Sequence, residues 1–182
     1  MVQITSKLLA LGAVILSASA LSLSKRDVAK VESDIAAIST QVTSLDTAIK
    51  AFPNTGGSLN AALAINTASG NLVTAIKTAT TDVNALTSPV AESDADTVFT
   101  AVEGFTPTIV DALTNIISKK PSFDALIVAD QLVATDLSSL NSSTVAFENA
   151  LVAIAPADLQ SNATALITTI NAAFVKALAA YA

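Results

Sequence analysis

From Val28 onward the apolar residues fall at Val28, Val31, Ile35, Ile38, Val42, Leu45, Ile49 and Phe52, in steps of three and four without a miss. Such steps keep returning to one face of a 3.6-residue helix, so the pattern predicts an amphipathic helix of about 25 residues, nearly 40 Å long. "PNTGG" at 53–57 ends it with both of the strongest breakers. A second helix is predicted from Ser58, a suitable N-cap, through Leu59, Leu63, Leu72, Ile76, Val83 and Leu86 to Ser88-Pro89. Asn66, Ser69 and many alanines interrupt that stripe and predict looser packing along it.

A third helix should start near "ESDAD", carry Val98, Val102, Phe105, Ile109, Leu113 and Ile116, and end at Lys119-Lys120-Pro121. Pro107 lies inside it and is expected to kink it or delay its start. From Ser122 a fourth segment places Phe123, Leu126, Val133, Leu137, Leu140, Phe147, Leu151 and Ile154 on one seam. It is either one helix of about 33 residues or two, broken at "NSST" (141–144). Pro156 is expected to open the last helix, whose stripe runs through Leu159, Ala163, Leu166, Ile170, Phe174, Ala177 and Tyr181. No stretch has the β-branched alternation and turn spacing of a sheet protein. The fold class is therefore all-α, an antiparallel bundle of about five long amphipathic helices.

The segment before this pattern reads differently. Met1–Ala20 holds one cation, Lys7, then the apolar run "LLALGAVIL" and the small residues "SASA", the layout of a secretory signal cut after Ala20. The run is about half the length that spans a bilayer. Residues 21–26 then end in Lys25-Arg26, a dibasic pair of the kind at which secretory processing proteases cut a pro-segment. Both cuts would leave a domain of residues 27–182, three cations poorer, with none of the 15 acids lost. Asp27 would cap its first helix. The chain is expected to be secreted and extracellular.

Composition narrows the chemistry. Of the 182 residues 52% are hydrophobic and only 13% charged, and there is no Cys, His or Trp. Disulfides, thiol chemistry, imidazole ligands and the commonest general base are absent together, and no Gly-x-Ser-x-Gly elbow occurs. A formal charge of -6 argues against nucleic acid, which needs clustered Lys and Arg. Glu92, Asp94 and Asp96 lack the glycine and distal glutamate of a calcium loop and instead suit a helix N-terminus, so no metal or cofactor is expected. Asp130 falls on an apolar seam, where it either orients a ligand in a cavity or stays wet while Ile127 or Ala134 packs. Asn141 ("NSS") and Asn162 ("NAT") fit the N-glycosylation pattern of a secreted chain. The C-terminal "ATALITTINAAFVKALAAYA" sets Thr168, Thr169, Asn171 and Lys176 opposite Leu166, Ile170 and Phe174, the pattern of a packed helix rather than a lipid-anchor tail.

Three stretches, "DIAAISTQVTSLDTAI", "TPTIVDALTNIISKKPSFD" and "AAFVKALAAYA", together resemble the fungal hydrophobic surface binding protein A family, also described as cell wall galactomannoproteins. The resemblance spans essentially residues 27–182. It implies a small secreted helical protein without catalytic residues. Such proteins either adsorb to hydrophobic surfaces and assist polyester-degrading hydrolases, or reside in the cell wall with a fatty acid inside a five-helix bundle. Seams that mix Ala and Val with a few Phe do not easily fill every layer of a bundle, and an unfilled apolar space is a natural lipid site. Phe99, Phe105, Phe123, Phe147 and Phe174 are the candidates for lining it. The expected function is non-catalytic binding of hydrophobic surfaces or lipid. The alternative is a structural wall mannoprotein that carries glycans without binding lipid.

Overall fold

The protein is described by a computed structural model that covers residues 5–86, 90–126 and 128–182, with side chains from Asp27 onward. The expected processing residues Ala20, Lys25 and Arg26 lie outside the residues with described side chains. Every regular element among the described residues is a helix: α1 (Thr5–Ala51), α2 (Leu59–Asn84), α3 (Glu92–Asp124), α4 (Ala129–Ile154) and α5 (Gln160–Ala180). The α1 stripe of the sequence is buried from Val28 to Phe52. Because α1 runs through Asp27, the capping role expected of that residue belongs only to a chain cut after Arg26. Ser58 does cap α2, its side chain accepting from the N–H of Ala61.

The chain reverses at each short connection, so α1, α3 and α5 run one way and α2 and α4 the other. Packing closes the helices into a ring in the order α1, α2, α4, α5, α3, with α3 back against α1. Side chains mark this register. Lys30 near the start of the α1 stripe pairs with Asp82 near the end of α2, and Tyr181 after α5 donates its hydroxyl proton to the Ile116 carbonyl of α3 at 2.8 Å. A ring of five leaves a central axis that no helix occupies.

Several boundaries differ from those expected. α3 does not stop at Pro121 but continues to Asp124, and it passes through Pro107 from a start at Glu92. Both prolines are solvent-exposed, so the carbonyls they leave without an N–H partner can reach water. Beyond Pro121 the last turn is held by burial of Phe123 and by the Lys120–Asp124 ion pair one turn apart. Consequently Ser122–Asp124 belong to α3, and the break falls at 125–128. α4 then crosses "NSST" uninterrupted, with the Ser142 and Ser143 hydroxyls donating to the carbonyls of Ser138 and Ser139 and so staying within the helix. Pro156 does not open α5: it starts a turn closed by the Leu159 N–H on its carbonyl, and the helix begins at Gln160.

One end of the ring is plugged. The C-terminal ends of α1, α3 and α5 and the starts of α2 and α4 meet there, and Phe52 stacks on Phe123 with ring centroids 4.2 Å apart and planes within 4°. Tyr181 meets Phe123 edge-on at 6.5 Å, an arrangement the ring quadrupoles favour. Lys120 lies over the Tyr181 ring at 4.9 Å while pairing with Asp124 and Asp130.

Candidate functional site: an apolar cavity along the bundle axis

Above the plug the stripes of all five helices face one another without filling the axis. The void runs past Ile38, Val42, Leu45 and Ile49 of α1, a rise of eleven residues and thus about 17 Å. α2 contributes Leu72 and Ile76, α3 Phe105 and Leu113, α4 Leu140 and Phe147, and α5 Ile170 and Phe174. The cavity volume is about 80 Å³. The void is apolar almost throughout and extends along the axis, which suits a hydrocarbon group.

Of the five candidate phenylalanines, the structure brings Phe105, Phe147 and Phe174 to the cavity wall. Phe123 is fully buried in the aromatic plug instead. Phe99 is half-buried at a shallow groove between α3 and α5, beside Leu159 and Leu166. Asn162 borders the same groove and is exposed, while Asn141 is half-buried on α4. Asp130 does not reach the cavity: it stays partly wet, bound to Lys120 at 2.8 Å, and Ala134 packs against the core. Glu92 faces Asp158 rather than converging with Asp94 and Asp96, and the hydrogen bond between the two carboxyls raises the Glu92 pKa. Among the described residues no group of three or more metal-ligating acids forms.

Three polar side chains interrupt the apolar wall: Ser69, Asp136 and Thr144. Asn66 donates from Nδ2 to Asp136 Oδ1 at 2.8 Å, bridging α2 and α4. Asp136 Oδ2 and Ser69 Oγ are buried with no partner. Burial pushes the Asp136 carboxyl up to about 6, against the opposing effect of the Asn66 hydrogen bond. A second pair bridges α4 and α5, where Asn171 Nδ2 donates to Glu148 Oε2 at 3.1 Å. Burial pushes Glu148 up to about 7, again against its amide partner. No cation lines the cavity among the described residues.

Asp136 was invisible to the helical stripe, which passes through its neighbour Leu137, and attention falls on Asp130 instead. The available signal was on α2, where Asn66 and Ser69 interrupt an apolar stripe three residues apart, on one face. A polar interruption in a buried stripe asks for a partner on a facing helix, and Asp136 is that partner.

α5 is long and apolar enough to cross a membrane by length and composition, the single helix among the described residues of which this holds. Here its Ala163, Ile170, Phe174 and Ala177 are buried against the bundle.

Similarities to known proteins converge on this architecture. The crystal structure of AFMP4P in complex with palmitic acid superposes with a TM-score of 0.79 at 33% identity, over 85% of this chain and 99% of that one. Ligand binding domain 1 of the Penicillium marneffei MP1 protein, complexed with arachidonic acids, matches with a TM-score of 0.77 at 18% identity, over 86% of this chain and 99% of that domain. Its ligand binding domain 2, also in complex with arachidonic acids, gives 0.73 at 18% identity, over 82% and 90% of the two chains. No curated protein sequence matches. The family model for hydrophobic surface binding protein A matches residues 28–153, from the first turn of the buried α1 stripe almost to the end of α4. The chain belongs to the hydrophobic surface binding protein A family.

Proposed function

We propose that this protein binds the acyl chain of a long-chain lipid along the axis of its helical ring and has no catalytic role. The observation that carries the reading is the apolar cavity walled by all five helices, in a fold seen in complex with palmitic acid in AFMP4P. Each buried methylene contributes about 0.8 kcal/mol, so a chain of about 16 carbons offers roughly 12 kcal/mol gross. Association costs of at least roughly 4 kcal/mol still leave micromolar or tighter binding. The proposal includes secretion, on the strength of the signal pattern in residues 1–20. Wall association and support of secreted polyester hydrolases are the settings the family resemblance adds.

Adsorption to a hydrophobic solid is a second reading, favoured by Leu59 and Leu63. They lie one turn apart at the start of α2, 44% and 45% exposed.

Native mass spectrometry of protein exposed to mixed lipids should show one bound acyl chain. Val42→Phe, which fills the channel at mid-length, should lower lipid capture at least about tenfold with the melting temperature held or raised. Wild-type protein that takes up no lipid would overturn the cavity reading, and so would uptake unchanged by Val42→Phe.

A further inference from the structure

Taking the cavity as an acyl-chain site, as proposed above, raises the question of how the chain enters a space closed by five helices. α5 closes one side of the ring and supplies Ile170 and Phe174 to the cavity wall. From Gln160 to Thr169 it buries only Ala163, so little apolar area holds its first half against the bundle. Asn171 lies between the two wall residues in sequence and meets Glu148 of α4. Glu148 in turn follows Phe147 and lies one turn beyond Thr144, both on the wall. The pair thus sits behind the wall, at the α4–α5 seam.

This pair is only half satisfied. Asn171 Nδ2 donates to Glu148 Oε2 at 3.1 Å, but Glu148 Oε1 and Asn171 Oδ1 are both buried with no partner. Two acceptors cannot satisfy one another. A carboxyl and a carboxamide already joined by one bond need a single further proton, on the free carboxyl oxygen, to close a second bond to the amide oxygen. Protonated Glu148 supplies it. Ionised Glu148 leaves two orphaned oxygens and a full charge inside the seam. Burial favours the protonated form and puts this carboxyl at about 7, so both forms are populated near neutrality. Charged side chains on the neighbouring elements take no part in that shift. Lys77 of α2 borders a hydroxyl-lined groove beside Ser142 and Ser143, Glu103 and Lys176 border grooves on the α3 side of α5, and Asp158 pairs with Glu92. Asp136 lies twelve residues back on α4, about 18 Å away.

We infer that Glu148 and Asn171 form a proton-operated latch on α5: closed by a shared proton it holds the ring around the lipid, and ionised it lets the first half of α5 part from α4 so that the chain can pass. Neither side chain lines the cavity, so the latch sets the rate of exchange and leaves the choice of lipid to the apolar wall. An amide partner is what makes the device titrate in this range, because a cation in its place would hold Glu148 charged. Exchange is slow in mildly acid solution and fast above neutrality.

The test follows methyl cis-parinarate, a slender fluorescent acyl ester with no titrating group, as it passes by stopped flow from the purified protein to excess phosphatidylcholine vesicles carrying an energy acceptor. In the wild type the transfer rate should rise at least about tenfold between about pH 5.5 and about pH 8, as Glu148 goes from mostly protonated to mostly ionised. Glu148→Gln places an amide donor where the shared proton sits and cannot ionise. Transfer from it should stay slow at both pH values while circular dichroism shows the fold intact. A wild-type rate that does not change with pH, or a rise that persists in Glu148→Gln, overturns the latch and leaves the cavity reading standing. A probe that the wild type takes up at neither pH overturns the cavity reading and the latch with it.

Discussion

The two halves of the bundle axis solve the same packing problem in opposite ways. At the plug, Phe52, Phe123 and Tyr181 fill the space between α1, α3 and α5 with rigid rings, and a Cβ on the neighbouring Gly57 would fall 2.3 Å from Phe52 Cζ. Higher up, Ile38, Val42, Leu72 and Leu140 line a channel that none of them closes. Interiors normally reach crystal-like density. A void forfeits dispersion contacts for the aliphatic and aromatic side chains that wall it, and the aromatic plug restores tight packing at one end of it. Stability is concentrated where the rings stack on one another, and binding capacity where the wall leaves the axis unfilled.

One substitution made in both places should expose that division. Phe123→Ala removes a fully buried ring from the stack and should cost about 3–5 kcal/mol in urea unfolding, at the upper part of that range. Phe174→Ala, at the channel wall, removes a ring that already has empty space on one side, so it should cost at least about 1 kcal/mol less. Equal losses would mean that the channel is as well packed as the plug.

The halves also differ in their response to pH. Glu148, buried at the α4–α5 seam, titrates at about 7 in the fold against 4.5 for a free glutamate, and Asp136 follows the same direction at about 6. A carboxyl raised by folding binds more protons in the native than in the unfolded state between those values. Its contribution is therefore fully present below about 4.5 and lost as pH rises through about 7. Thermal stability should fall between about pH 4.5 and pH 7.5. Glu148→Gln should raise it by about 2–3 kcal/mol near pH 8 and leave it unchanged near pH 4. A wild-type profile that is flat or rises over that window would contradict the burial of Glu148. The Tyr181 hydroxyl is raised above its ordinary value, chiefly by burial and further by Asp130 and Asp124, so it adds no titration at neutral pH.

How much of this was legible in the sequence follows from the kind of signal each feature leaves. The α1 stripe was readable residue by residue because every three-four step lands on a buried position. The end of α3 was not: Pro121 is a breaker by local rule, but on an exposed face with Phe123 buried beyond it the helix continues, and the break falls within Ala125–Val128, residues with no breaker among them. The channel wall was half legible. Periodicity puts Phe105, Phe147 and Phe174 on inward faces, but Phe123 is inward too, and whether an inward ring meets another ring or a void depends on the ring order of the helices, which no single stripe encodes. The Asn66–Asp136 bridge and the lone Ser69 needed the parallel neighbourhood of α2 and α4, two helices separated in sequence by α3.

The smallest test separates the plug from the channel most cleanly. Tyr181 donates to the Ile116 carbonyl across the α3–α5 seam, is 6% exposed, and carries Lys120 on its ring face. Tyr181→Phe keeps the ring and the edge-on contact with Phe123 but removes the hydroxyl donor. The Ile116 carbonyl retains a second lone pair for the helix, so the loss should be modest, about 1 kcal/mol, read as a small drop in melting temperature. Because Tyr181 lies outside the channel wall, acyl-probe affinity should stay within about twofold of wild type. A large fall in lipid affinity without a matching loss of stability would mean that the plug and the channel are one coupled device, in which closing the end shapes the binding space.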